Sequence, residues 1–173
     1  TGVLSSQQNS ILSVEIIELP NGHVLDRFFV TDLASNQEPS AHRLNDIQEK
    51  INHSIQEQKA SKPSFPVVWS GTSETTAADL NPLPAKVNLD NVTAEKYSII
   101  TVFAYDRIGL LYKITKALYD LKCEIHLAKI GTYIDQVVDV FYVTDRENNK
   151  IDSKERLDNI RETLLAKIEQ TNK

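Results

Sequence analysis

The chain has 173 residues, of which 40% are apolar and 25% charged, with a formal net charge of −5. That is length enough for one large or two small cores, and the acidic balance argues against phosphate backbones, so nucleic acid is not an expected partner. One cysteine excludes a disulfide framework or a thiolate metal cluster and fits a reducing, cytoplasmic setting, and no apolar run approaches the roughly 20 residues that cross a bilayer, so no membrane contact is expected.

Taken from its start, the chain opens inside what reads as the end of a helix. It continues through Ile11 and Ile16 to a turn at Pro20-Asn21-Gly22, where Asn-Gly is a strong turn signal. A strand-like run, Asp26-Arg27-Phe28-Phe29-Val30-Thr31-Asp32, follows, and after Ser40 the stripe Leu44, Ile47, Ile51, Ile55 has helical spacing. Residues 56–84 change character: four of the six prolines fall there, around a single apolar island from Phe65 to Trp69, and the stretch reads as a linker. Lys86-Val87-Asn88-Leu89 is short, alternating and edge-like. Ile99-Ile100-Thr101-Val102-Phe103 is a β-branched run that stops at Tyr105-Asp106-Arg107, and Gly109 opens a helix whose apolar stripe is Leu110, Leu111, Ile114, Ala117, Leu118 and Leu121. Glu124 to Tyr133 and Gln136 to Asp145 read as two strands joined around Ile134-Asp135. Asp152 and Glu155 form a candidate capping pair for a last helix carrying Leu157, Ile160, Leu164 and Ile168.

The chain says one thing twice. Asp139 to Ile168 matches Asp26 to Ile55 at a constant offset, including Ser153 with Ser40 and Arg156 with Arg43. Ile125 and Ile130 match Ile11 and Ile16 after a one-residue adjustment, Thr115 matches Thr1, and Ser98 to Ile114 have no partner. The expectation is an α+β chain of two ferredoxin-like, split βαβ repeats (βαββαβ) with antiparallel sheets, cut from a longer protein within its first repeat. Residues 1–55 are the truncated repeat, 56–84 the linker and 85–173 the complete one. The complete repeat is one strand short in chain order, and residues 86–90 are expected to supply that strand in permuted fashion. Comparing the copies, the row Asp139, Phe141, Val143 and its match Asp26, Phe28, Val30 should face the helices, since Arg27 marks the wetter side. At the rim of that row Asp26 and Asp139 read as structural caps or as ligand contacts. With its central strand missing, the first repeat should show an unpaired edge near Phe28 and either borrow a strand from Phe65 to Trp69 or from another chain, or be less ordered than the second repeat.

Thr101 to Asp145, with Asp106-Arg107-Ile108-Gly109-Leu110-Leu111, Glu124-Ile125-His126-Leu127-Ala128-Lys129-Ile130 and Asp139-Val140-Phe141-Tyr142-Val143-Thr144-Asp145, resembles an ACT domain. More narrowly, it is similar to the second of the paired C-terminal ACT domains of the bacterial PII uridylyltransferase family, whose lead-in segment Lys86 to Asn91 also resembles. The resemblance implies a regulatory, non-catalytic module that binds an amino acid, glutamine, at the strand-to-helix turn. It implies as partners the PII signalling protein, the enzyme's own catalytic domains and other ACT domains. No cofactor is expected in this stretch: the family's nucleotidyltransferase chemistry needs a carboxylate-bound metal such as Mg²⁺, and that cluster would lie upstream. The amides at Gly109, Leu110 and Leu111 suit an α-carboxylate, because the first N–H groups of a helix lack intrahelical acceptors and carry partial positive charge. Asp106 is placed to take an α-ammonium or to close the turn, and Arg107 to meet a carboxylate or solvent. Ile108 stands where the family has proline, which restores an N–H and loosens φ. Glu124, with Ile125, stands where many ACT domains contact the ligand. Two other readings remain open: an assembly module without a small ligand, and an RNA-binding sheet, which the acidic charge disfavours.

Overall fold

The computed structural model describes residues 1–19, 23–56, 84–107, 109–133 and 136–169. The second repeat runs β3 (Lys86–Asp90), β4 (Ser98–Tyr105), α3 (Leu110–Asp120), β5 (Glu124–Lys129), β6 (Thr132–Tyr133), β7 (Gln136–Thr144) and α4 (Lys154–Glu169). The first runs α1 (Gly2–Ser6), β1 (Asn9–Glu18), β2 (Val24–Asp32) and α2 (Ala41–Gln56). The fold is α+β, and the sheet order is β2-β1-β5-β7-β4-β3, with β6 forming a short hairpin on β7.

Residues 86–90 do supply the missing strand. β3 pairs antiparallel with β4, Val87 opposite Val102, and Val87 is buried. The most apolar strand, β4, thus lies between β3 and β7 with Ile100 and Val102 fully buried, as a strand flanked on both edges and covered by helices should be. Strand parity in the second repeat follows the Phe-Val row: Asp139, Phe141 and Val143 are buried, while Val140 and Tyr142 on the other row are partly exposed. Helix α3 lays Leu110, Ile114, Ala117 and Leu118 on this core, and α4 adds Ile160, Leu164 and Ile168. The last helix is capped differently from expectation. Ser153 Oγ accepts the Arg156 N–H at 3.3 Å, the residue just after Asp152, and Ser40 accepts the Arg43 N–H at 3.4 Å in the first repeat.

The sequence repeat reappears as geometry. Helices α2 and α4 are each 16 residues long. Both inner strands carry a register shift at the same place, between Ile11 and Ser13 and between Ile125 and Leu127. Arg43 clamps the Gln7 carbonyl (2.5 Å) and the Asp32 carboxylate (3.2 Å). Its match, Arg156, reaches the Lys122 carbonyl (3.1 Å) and the Asp145 carboxylate (3.9 Å). These arginines tie a helix start to the preceding turn and strand.

The two expected sheets are one continuous sheet. Strand β1 pairs antiparallel with β5 through Ser13 with Lys129, Val14 with Ala128 and Glu15 with Leu127. Val14 and Ala128 are matched positions of the two repeats and lie opposite each other, with their neighbours exchanged symmetrically, as in a two-fold interface between identical subunits. The matched pair Thr1 and Thr115 obeys the same local axis, their hydroxyl oxygens 3.1 Å apart. At the outer end, β2 is paired on one side only, by β1, so the edge near Phe28 is open among the described residues. Beside it Thr1, Asp26, Phe28, Ile51, Ile55 and Tyr112 border a cavity of about 540 Å³. Asp26 is exposed there, unlike its buried match Asp139. Pro20 to Gly22 and Phe65 to Trp69 lie outside the described residues.

Candidate functional site

The turn after β4 is built around one backbone conformation. Gly109 sits at φ 82°, ψ 1° as the N-cap of α3, in the left-handed region that a Cβ penalises, and offers the helix no side-chain cap. The Leu110 N–H closes the turn onto the Arg107 carbonyl at 3.0 Å, and the Lys113 N–H reaches the Gly109 carbonyl at 3.0 Å. Of the three amides expected to be open, that of Leu110 is therefore spent inside the turn. The Leu111 amide, in the first helical turn, has no intrahelical acceptor.

The side chains around this turn are charged and poorly matched. Asp106 accepts the Arg107 backbone N–H, which closes the turn; the residue is exposed, and partial desolvation on its protein side raises its pKa, the amide opposing the shift. Arg107 is half-buried, its Nε is shielded from water without a partner among the described residues, and desolvation lowers its pKa. A guanidinium N–H held out of water without an acceptor is costly unless an anion visits it. Ile108 lies outside the described residues.

Asp139 adds a second unmatched group. It stands opposite Val102, on the row of β4 that continues through Ala104 to Asp106. The residue is 1% exposed and its Oδ1 has no hydrogen-bond partner among the described residues. Burial pushes the carboxyl pKa up to about 7, the Gly131 amide opposing and the Asp106 charge adding to the rise. Gly131 bridges the same strand, its carbonyl accepting the Val138 N–H at 2.7 Å. A Cβ there would stand 3.3 Å from the Val138 carbonyl oxygen, so the close approach asks for glycine.

Register separates the expected site residues into two groups. Glu124 pairs with Thr144 and Ile125 with Val143, which is level with Ser98 at the start of β4, whereas the turn follows Tyr105 at its end. Seven residues of strand at about 3.3 Å each put roughly 23 Å between those levels. Glu124 and Ile125 are therefore not brought together with Asp106 to Leu111; Glu124 is exposed and 3.9 Å from the Arg146 guanidinium. Because β1 runs antiparallel to β5, it is the matched segment of the first repeat, Asn9 to Ile11, that extends toward the turn. Asn9 is buried, donates to the Leu4 and Gln7 carbonyls at 3.1 and 3.2 Å, and leaves its Oδ1 without a partner among the described residues. Sequence reasoning passed over Asn9; its position opposite Cys123 in the repeat alignment was the available signal.

Elsewhere a cavity of about 410 Å³ is bordered by Tyr97, His126, Thr144 and Lys150, where His126 Nε2 is 2.9 Å from Thr144 Oγ1 and its ring centroid 5.1 Å from that of Tyr97. Among the described residues no three metal-ligating side chains converge, and no helix is long and apolar enough to cross a membrane.

Comparison with known proteins gives three relatives described as bifunctional uridylyltransferase/uridylyl-removing enzymes. The protein of Azospirillum brasilense is 32% identical over 166 residues, or 95% of this chain. That of Gluconobacter oxydans is 31% identical over 170 residues (96% of the chain), and that of Rhodospirillum rubrum 30% over 174 (98%). This chain is similar to that enzyme family along nearly its whole length. It spans 18% of the length of the curated relatives it matches. No family profile and no solved structure matches it.

Proposed function

We propose that this chain is the non-catalytic, amino-acid-sensing part of a PII uridylyltransferase/uridylyl-removing enzyme, and that its effector is glutamine. In the longer enzyme its partners would be the catalytic domains, which would hold the Mg²⁺, and the PII protein. The observation that carries the reading is the Gly109 turn, which gathers an uncapped helix start, an unpartnered Arg107 Nε–H and the Asp106 carboxyl. An α-carboxylate would take the Leu111 amide, the helix dipole and the guanidinium. The similarity to uridylyltransferases supports the parent enzyme. Glutamine rests on the resemblance of the turn and its flanking strands to the regulatory domains of that family.

Calorimetric titration of the chain with glutamine, glutamate and asparagine tests the reading, with glutamine expected to bind best. In the full-length enzyme Gly109→Val should abolish control by glutamine and leave basal transfer intact; unchanged control refutes the site.

An assembly module is the second reading. The symmetric β1 to β5 pairing favours it, as do Ile17, Leu25 and Phe29, exposed on the face of the first repeat opposite its core. A chain that binds none of these amino acids and self-associates in sedimentation at micromolar concentration would select it.

A further inference from the structure

We infer that Asp139 is the group that receives the ligand's ammonium, so that the site takes small molecules bearing a primary amine beside a carboxylate. The inference rests on the amino-acid-binding reading above and extends it to a residue outside the turn.

The structural alternative is that Asp139 merely satisfies the Gly131 amide where the backbone leaves the β5 ladder. An asparagine oxygen would do that equally well, without a buried ionisable group. The structure instead keeps a carboxyl with an unpartnered Oδ1 at 1% exposure, the arrangement that an incoming cation relieves. Among the described residues the groups acting on it supply no such cation. From β4 and its turn comes Asp106, a second acid; from the β5 to β6 bend comes the Gly131 amide; the buried residues of α3 and α4 on this face are all apolar. The unpartnered Arg107 Nε–H and the unpartnered Asp139 carboxyl oxygen are chemically complementary, one suited to an anion and one to a cation. Gly131, whose amide meets the carboxyl, is itself exposed.

The chemistry is a proton exchange. In the empty site the Asp139 carboxyl holds a proton at neutral pH and below; docking of R–NH₃⁺ ionises the carboxyl, and that proton leaves to solvent while the ammonium keeps its own. Affinity should therefore rise about tenfold per pH unit up to about pH 7, the folded-state value, and level off above it.

The experiment compares the chain and its Asp139→Asn variant by calorimetry from pH 5.5 to 8.5, with glutamine and with glutaramate, the same molecule without its amino group. The expected result is a wild-type preference for glutamine over glutaramate of at least about a hundredfold at pH 8, and a pH slope that both vanish in the variant. A variant with wild-type preference and slope overturns the role of Asp139 and leaves the amino-acid site standing. Failure of the wild-type chain to bind any amino acid overturns both. Carboxyl ¹³C shifts of the wild type at pH 6 give a readout independent of the variant's folding: glutamine should move the Asp139 signal to its ionised position, and no movement refutes the inference.

Discussion

In the absence of ligand, Asp139 should make the protein less stable as the pH rises toward neutrality. Its ordinary carboxyl pKa of 3.8 becomes about 7 in the folded state, chiefly through burial. Between those values the unfolded chain has released a proton that the folded chain retains, so stability is lost as pH rises through the window and is constant above it. At 1.36 kcal/mol per pKa unit the full loss is at most about 4 kcal/mol, a large share of the 5–15 kcal/mol typical of a domain. Asparagine has no such term. Asp139→Asn should therefore match the wild type near pH 4 and exceed it by several kcal/mol at pH 8, while saturating glutamine closes part of that gap for the wild type alone. Urea unfolding followed by circular dichroism at pH 4, 5, 6, 7 and 8 measures both proteins, and taking their difference cancels the titrating groups that do not interact with Asp139, leaving its own term and its coupling to Asp106. A difference that stays constant from pH 4 to 8 would show that Asp139 ionises freely in the fold, and the reasoning about its burial would be wrong.

Three further outcomes are expected. Ile114→Ala, at a position fully buried beneath α3, should cost about 2–5 kcal/mol in urea unfolding with an unchanged m-value, and a loss below 1 kcal/mol would contradict the packing described. The Cys123 thiol, pushed up to about 11 mainly by burial, should react very slowly with Ellman's reagent at pH 8 in the native chain and promptly after urea unfolding; prompt native labelling would place it at the surface. Lys150 Nζ donates to the Asn91 and Ala94 carbonyls at 2.5 and 2.6 Å, so Lys150→Met should cost about 1–3 kcal/mol and raise amide exchange across residues 91–97, whereas unaltered exchange there would deny the lysine its tying role.

Much of the fold was legible because its causes are local. A one-residue slip turns every side chain of a strand to the other face, so the shared row of Phe28 with Val30 and of Phe141 with Val143 identified the core side before any coordinates did. Gly109 marked the turn because a left-handed N-cap excludes most side chains. The fourth strand was legible by elimination, as an alternating segment beside a sheet that lacked one member. The cap was misread by a single residue, since Asp152 and Ser153 are both good caps and only the path of the chain into α4 chooses between them. Glu124 was named through the family resemblance, and only the strand register shows that it lies at the other end of the sheet from the turn.

Repetition, periodicity and residue chemistry by themselves determined the elements, their core faces and the strand-to-helix corner, each being a property of neighbours in the chain. Tertiary structure alone decided that the repeats share one sheet about a local two-fold axis at Val14 and Ala128, that the first repeat turns Asn9 to Ile11 toward the second repeat's turn, and that Asp139 is buried while Asp26 is exposed. These depend on which strand edges meet and on how completely each is covered, and neither the pairing of residues more than a hundred positions apart nor desolvation by neighbouring elements leaves a periodic trace in the chain.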